Sequence, residues 1–181
     1  MTQYARPDSD TSDGSWLNNA SNNTNLYSYV DETSVNDSDY IQSIDSSASA
    51  DTVELGLGNV TDPENAANHT VFYRASVAAG MMGGTPDLTI ALFQGGSQIA
   101  TKTDSGVTTS FSDDNLNLST SEANAITDYT DLRIKFTRAA GGGAGGETAT
   151  VSWCFFSCDD AAASSASLPM AMNTYQQMRG N

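Results

Sequence analysis

The chain has 181 residues, 38% of them hydrophobic and 8% aromatic, and its 22 Asp plus Glu against 7 Lys plus Arg give a formal net charge of -15. That length suits one domain, or one domain with tails, and suffices to bury a real core. A surface this acidic repels phosphate backbones and anionic bilayers, so nucleic acid and membranes are excluded as partners, and no stretch approaches the roughly 20 apolar residues of a membrane helix. The acidity suits solubility in a salty medium, or attraction to a basic partner surface.

Residues 1–25 are rich in Asp, Ser, Asn and Thr without periodicity, and predict a flexible polar arm. Its opening, "MTQYARPD", has no apolar h-region, which predicts synthesis in the cytoplasm without a cleaved export signal. One large aromatic, Trp16, stands at the end of "DSDTSDGSW". The acids Asp8, Asp10 and Asp13 before Gly14 invite comparison with a calcium loop, but the third acid and the glycine are each one place late for an EF-hand, and Asn19 holds the twelfth position. A solvated Asx-turn segment is the expectation, with a loop calcium site of another kind as the alternative.

From Leu26 onward short segments of period two are closed by Gly, Pro, Asn or Asp, a β pattern. "TVELGL" turns Val53, Leu55 and Leu57 inward, and "HTVFYRASV" turns Val71, Tyr73, Ala75 and Val77 inward. "DLTIALF" contributes Leu88, Ile90 and Leu92, "DLRIKFTR" contributes Leu132, Ile134 and Phe136, and "ATVSWCF" contributes Ala149, Val151, Trp153 and Phe155. Weaker strand candidates are "LYSYVDE", "DYIQSI", "SQIATKT" and "GVTTSF". "FQGGSQ" fits a hairpin connection, and "AAGMMGGTPD" and "AAGGGAGGE" read as longer loops. In "STSEANAI", Ser119 precedes Glu122 by three residues as in a capping box, predicting one short helix. Together these predict an all-β, two-sheet sandwich over residues 26–158, either jelly-roll or immunoglobulin-like.

Residues 159–181 turn from acidic to Ala/Ser-rich to Met-rich and predict a flexible tail. Its apolar cluster of Leu168, Met170, Met172, Tyr175 and Met178 can pack on the sandwich, dock on a partner or neighbouring subunit, or stay disordered.

The residues offer no catalytic signature. The one histidine, His69, has no Gly-x-Ser-x-Gly elbow to serve and reads as a polar strand-edge residue. "GGGAGG" lacks the Lys-Ser/Thr of a phosphate loop. Cys154 and Cys158 lack the second ligand pair of a zinc site; they read as reduced thiols, with a disulfide across the strand end as the alternative. No enzyme activity, metal or cofactor is therefore expected.

In order along the chain, "ARPDSD…GSW", "LYSYVDE", "DSDYIQS", "VFYRA", "DLTIALFQGGSQIA", "ITDYTDLRIKF" and "ATVSW" resemble a family of small β-sandwich virion proteins of tailed, especially marine, bacteriophages. The likeness spans residues 5 to 153 and is most specific at Arg6-Pro7 to Trp16, Asp39-Tyr40-Ile41 and Thr127 to Leu132; the chain departs from it after "WCFFSCDD". The resemblance implies a non-enzymatic capsid decoration (cement) protein that binds the major capsid protein of the same phage on the outer capsid surface. It implies a homo-oligomer, a trimer first, securing joints between capsomers after synthesis in the host cytoplasm. Trp16 would then close one open end of the sandwich or wedge against a neighbour, and the tail cluster Leu168 to Met178 would supply further contacts. The rival reading is a carbohydrate-binding or adhesion module of a tail or fibre. It requires exposed aromatics on one face, and the candidates Tyr27, Tyr29, Tyr40, Phe72 and Phe93 are scattered along the chain.

Overall fold

Period-two alternation sends successive side chains to opposite faces of a strand, so segments that alternate apolar with polar must pair into sheets and press their apolar faces together. The computed structural model describes residues 1–45, 49–80, 84–140 and 145–161. In chain order they form β1 (Thr2–Ala5), β2 (Pro7–Ser12), β3 (Leu17–Asn18), a 3-10 turn (Leu26–Tyr29), β4 (Ile41–Gln42), β5 (Asp51–Leu57) and β6 (Thr70–Ala78). There follow β7 (Leu88–Gln94), β8 (Ser97–Asp104), β9 (Ser112–Asn117), the single helical turn α1 (Thr120–Ala123), β10 (Leu132–Arg138) and β11 (Thr148–Asp159).

The first sheet runs β3-β4-β11-β6-β9, with β1 also paired to β11, and the second runs β2-β5-β10-β7-β8. Every pairing is antiparallel. The fold is a two-sheet β-sandwich. Its core holds Val53, Leu55, Leu57, Leu88, Ile90, Leu92, Leu132, Ile134 and Phe136 from the second sheet. Val71, Tyr73, Ala75, Val77, Ala149 and Val151 face them from the first. No helix among the described residues is long and apolar enough to cross a membrane.

The expected inward set fails at one place. In β11, Val151 pairs with Ala75 and Trp153 with Arg74, so Ser152 is an extra residue in the ladder. Such a bulge breaks the alternation. Past it, Cys154, Phe156 and Cys158 enter the core, while Trp153 and Phe155, expected inside, stand on the outer face. Because Ser152 is the surplus residue, its deletion leaves Val151 inward and Trp153 outward. We therefore expect that deletion to preserve the fold and cost only about 1–3 kcal/mol, chiefly the charge-assisted bond from the Ser152 hydroxyl to Asp37 (2.8 Å). A chemical unfolding titration checks this, and loss of cooperative unfolding would count against the register.

The first 25 residues, expected as an arm, instead supply strands to both sheets: β1 lies beside β11 and β2 beside β5. They are polar because each lies at an edge, where one side of the backbone and much of the side-chain row faces water. Pro7 begins β2, a position where its missing N–H costs little. The chain then reverses at Gly14, whose φ of 55° and whose approach to the Thr52 carbonyl, 2.0 Å from where a Cβ would stand, admit no side chain. This reversal delivers Trp16 into the core at 0% exposure. The indole is enclosed by its own fold, so the structure does not place it on a contact surface.

The capping box is present: the Glu122 N–H donates to the Ser119 hydroxyl (3.4 Å) and the Ser119 N–H to the Glu122 carboxylate (2.7 Å). "LYSYVDE" forms the 3-10 turn and not a strand, its first N–H groups of Leu26 and Tyr27 donating to the Asp10 carboxylate at 2.9 and 2.8 Å. "GVTTSF" is irregular up to Phe111, and the strand there is β9, which begins at Ser112. The tail cluster Leu168, Met170, Met172, Tyr175 and Met178 lies outside the described residues.

Candidate functional site: an aromatic ridge on the outer face of the first sheet

Antiparallel register fixes which side chains meet on the outer face of β1, β11, β6 and β9. One row across the strands is Tyr4, Ser157, Thr70 and Asn117; the next is Phe155, Phe72 and Asn115; the third is Trp153, Arg74 and Asp113. Four aromatic rings therefore gather on one patch. Phe72 and Phe155 are stacked with centroids 4.9 Å apart, and Tyr4 and Trp153 meet Phe155 edge-on at 5.5 and 4.7 Å. Phe155 is itself only 7% exposed, whereas Tyr4 is 56% exposed. Offset and edge-to-face contacts of this kind hold the rings as a rigid set.

The stacked Phe72 and Phe155 pair forms a ridge with a groove on each side. One groove, of about 380 Å³, is lined by Thr2, Tyr4, Asn68, Thr70, Ser157 and Asp159 together with the two ridge rings. At its end the Asn68 amide donates to the Asp159 carboxylate (2.9 Å). The other groove, of about 320 Å³, adds Trp153, Tyr73, Asp113, Asp114 and Asn115 to the same two rings.

The segment after the 3-10 turn forms a wall beside this patch. The Trp153 indole N–H donates to the Glu32 carbonyl (2.7 Å), and Arg6 donates to the same oxygen (2.5 Å) while its guanidinium lies 5.1 Å from the Phe155 ring centroid. The Cys154 N–H donates to the Val30 carbonyl (3.2 Å), which closes the stretch of β11 left bare between β4 and β1. Farther along, Arg74 donates to both oxygens of Asp37 at 2.8 Å each and to Asp113 at 2.8 Å.

These contacts set the charge states. The Arg74 hydrogen bonds hold the Asp37 carboxyl below its ordinary 3.8, whereas burial pushes Glu32 above 4.5 and pushes Asp13, with help from neighbouring Asp10, above 3.8. A depressed carboxylate contributes stability that is present above its ordinary value and lost as pH falls through the depressed one. A raised carboxylate does the opposite, destabilising at neutral pH and relaxing as it protonates. The strong negative charge acts in the second direction as well. We expect thermal stability to rise from neutral pH into the mildly acidic range and to fall below about 3.8, where Asp37 and Glu122, the latter lowered by its Ser119 bonds, lose their charge. Added salt should raise the neutral-pH value by screening. A melting curve that declines steadily from pH 7 downward would contradict this assignment.

The residues singled out in the sequence fall in other places. Of the aromatic candidates, Phe72 alone belongs to the cluster. Tyr27 and Tyr29 pack against the core, Tyr40 lies beside the β3–β4 edge, and Phe93 is on the outer face of the second sheet with Lys135 4.2 Å from its ring centroid. His69 stands at the strand edge, directly before β6, but is buried: its Nδ1 pairs with the Ala67 carbonyl (2.9 Å) and its Nε2 with the Tyr129 hydroxyl (2.7 Å). Burial pushes that Tyr129 hydroxyl up to about 12, so it stays protonated and donates. Cys154 and Cys158 are free and both face the core from one strand. Four residues of extended chain separate their Cα atoms by about 13 Å, far beyond the roughly 7 Å limit for a disulfide. Burial pushes the Cys158 thiol up to about 11, which leaves it unreactive. Among the described residues no group of three or more His, Cys, Asp or Glu is disposed to hold a metal ion.

Tyr4, Trp153 and Phe155 were missed by sequence reasoning, although "WCFF" carried a signal. Phe155 and Phe156 are adjacent in one strand, so one of them must face outward.

No family model and no curated protein matches the chain. Among solved structures it is similar to a CBM61 carbohydrate-binding module in complex with β-1,4-galactotriose, at 11% identity over 67% of this chain and 70% of that one, with a TM-score of 0.40. It is similar to an apo-form cyclase from Fischerella sp. at 12% identity, over 77% of this chain and 70% of that one, with a TM-score of 0.46. A third is the CBM36-1 domain of a multidomain xylanase from the hindgut metagenome of Trinervitermes trinervoides, at 10% identity over 90% of this chain and 99% of that one, with a TM-score of 0.35. Likenesses so distant do not say what this chain binds.

Proposed function

We propose that this protein is a non-catalytic glycan-binding module, and that its binding surface is the outer face carrying Tyr4, Phe72, Trp153 and Phe155. The supporting observation is the four-ring ridge flanked by short polar side chains. A sugar ring has an apolar C–H face and an equator of hydroxyls that both donate and accept. It is matched by rigid aromatic rings beside fixed amides, hydroxyls and carboxylates, which is what Asn68, Thr70, Asn115 and Asp159 supply here. The described carboxylates of this face are held by partners, Asp113 by Arg74, Asp114 by Lys102 and Asp159 by Asn68, an arrangement that suits binding. His69, the only histidine, is buried, and both thiols point into the core.

The resemblance to virion-surface proteins supports a place for the module, displayed on a phage particle next to the major capsid protein and in several copies. Multiple copies would convert weak individual glycan contacts into firm adhesion.

Affinity electrophoresis of the full chain through gels containing soluble galactan, mannan, xylan or β-glucan tests the binding. Retardation by at least one of them is the expected result. Unchanged mobility in all four, together with no retention on insoluble cellulose or chitin, would overturn the glycan reading. Protein counting in purified particles tests the placement, which fails if the chain is absent from them.

A further inference from the structure

We infer that the two grooves beside the Phe72–Phe155 ridge are adjoining subsites of one track that takes a linear, uncharged oligosaccharide and rejects uronate-bearing or sulfated chains. This rests on the glycan-binding reading and goes beyond it by specifying length and charge.

Length follows from the shared ridge. Phe72 and Phe155 line both grooves, and since Phe155 is 7% exposed the half-buried Phe72 ring is the surface that a sugar in one groove and a sugar in the other share. Each groove also has its own aromatic wall, Tyr4 in the first and Trp153 in the second, and its own amide, Asn68 and Asn115. A chain that fills both makes its second contact intramolecularly, at high effective concentration, whereas a single sugar fills one.

Charge follows from the lining. The described residues of the two grooves include the carboxylates of Asp159, Asp113 and Asp114 and no lysine or arginine. The nearby cations are already engaged: Arg74 bonds Asp37 and Asp113, Lys102 bonds Asp114 and the Asn115 carbonyl, and Arg6 lies against the Phe155 ring and donates to the Glu32 carbonyl. Sugar hydroxyls donate to such carboxylates in charge-assisted bonds. A uronate or sulfate brings like charge against like charge, and among the described residues no groove-lining cation stands ready to meet it.

Titration calorimetry of the full chain with galactose, galactobiose, galactotetraose and polygalacturonate, or the corresponding series for whichever neutral polysaccharide retards it, is the test. Galactotetraose should bind at least about tenfold tighter than the monosaccharide, and the uronate polymer should show no heat. The Asp159→Asn variant, whose change removes one facing charge without altering side-chain size, should weaken the tetraose, which loses a charge-assisted bond, while letting the uronate polymer bind detectably, so that the preference for the neutral chain narrows. Asn115→Ala, confirmed as folded by its melting temperature, should reduce the advantage of tetraose over monosaccharide. Equal affinities for one and four sugars would overturn the two-subsite assignment, and uronate binding as tight as neutral binding would overturn the charge rule. In either case the glycan reading stands. Absence of binding to every neutral chain removes that reading, and this inference with it.

Discussion

Replacing Trp16 by alanine lowers the melting midpoint of the free protein by about 6–20 °C. The indole is the largest of the fully buried side chains, at 0% exposure. Truncating a buried Trp costs about 3–5 kcal/mol in lost transfer energy and residual cavity, and a domain of this size shifts its midpoint by about 2–4 °C per kcal/mol. The surroundings cannot collapse onto the hole. Gly14 holds the approach to Trp16 in a left-handed turn against Thr52, and Asn23 holds the Trp16 carbonyl from the other side (2.5 Å). Trp16→Phe should be milder, because the indole N–H has no hydrogen-bond partner among the described residues and its loss strands nothing. An unchanged midpoint for Trp16→Ala would move the indole out of the core.

Phe72→Ala, by contrast, should leave a folded protein that no longer holds its ligand, with affinity reduced by at least about 30-fold, the effect of losing a central contact of 2 kcal/mol. Phe72 is only half-buried and points away from the core, so its loss opens no internal cavity. What it removes is one side of the ridge, the ring that lines both grooves and stacks on Phe155. The companion change is Phe93→Ala, an outward phenylalanine of comparable exposure on the opposite sheet, which should bind as the parent does. Equal losses in the two variants would mean that the effect is not local to the ridge. No loss in either would detach the ridge from binding.

The central layers were legible because their strands alternate strictly. Val53 to Leu57, Val71 to Val77, Leu88 to Leu92 and Leu132 to Phe136 each show one apolar face, and each buries that face. The helical turn was legible because the capping box is a local device, decided by Ser119 and Glu122 alone. Edge strands were not. In β9 only Leu116 is buried, and the acids that make "SDDNLN" look like a loop are neutralised by Arg74 from β6 and Lys102 from β8, partners on other strands that no local pattern reveals. β1 and β2 were hidden for the same reason, since their polar rows are the solvent side of an edge.

The candidate site was legible only in fragments. Its rings come from positions 4, 72, 153 and 155, and no spacing rule connects them before the register of β1, β11 and β6 is known. The bulge at Ser152 compounded the difficulty, since a period counted from Ala149 runs straight through it and puts Trp153 and Phe155 on the wrong face. Trp16 drew attention as a lone aromatic in a polar stretch, yet it serves the core. The ligand-facing aromatics sat where a core was expected.

The most direct measurement is chemical-shift mapping of the aromatic and amide side-chain resonances during titration with the neutral oligosaccharide that binds most tightly. The largest changes should fall on Tyr4, Phe72, Trp153, Asn68 and Asn115, while Trp16 and Phe93 stay in place. Changes centred on Phe93 and the outer face of the second sheet, with the Phe72–Phe155 ridge silent at saturation, would contradict the account.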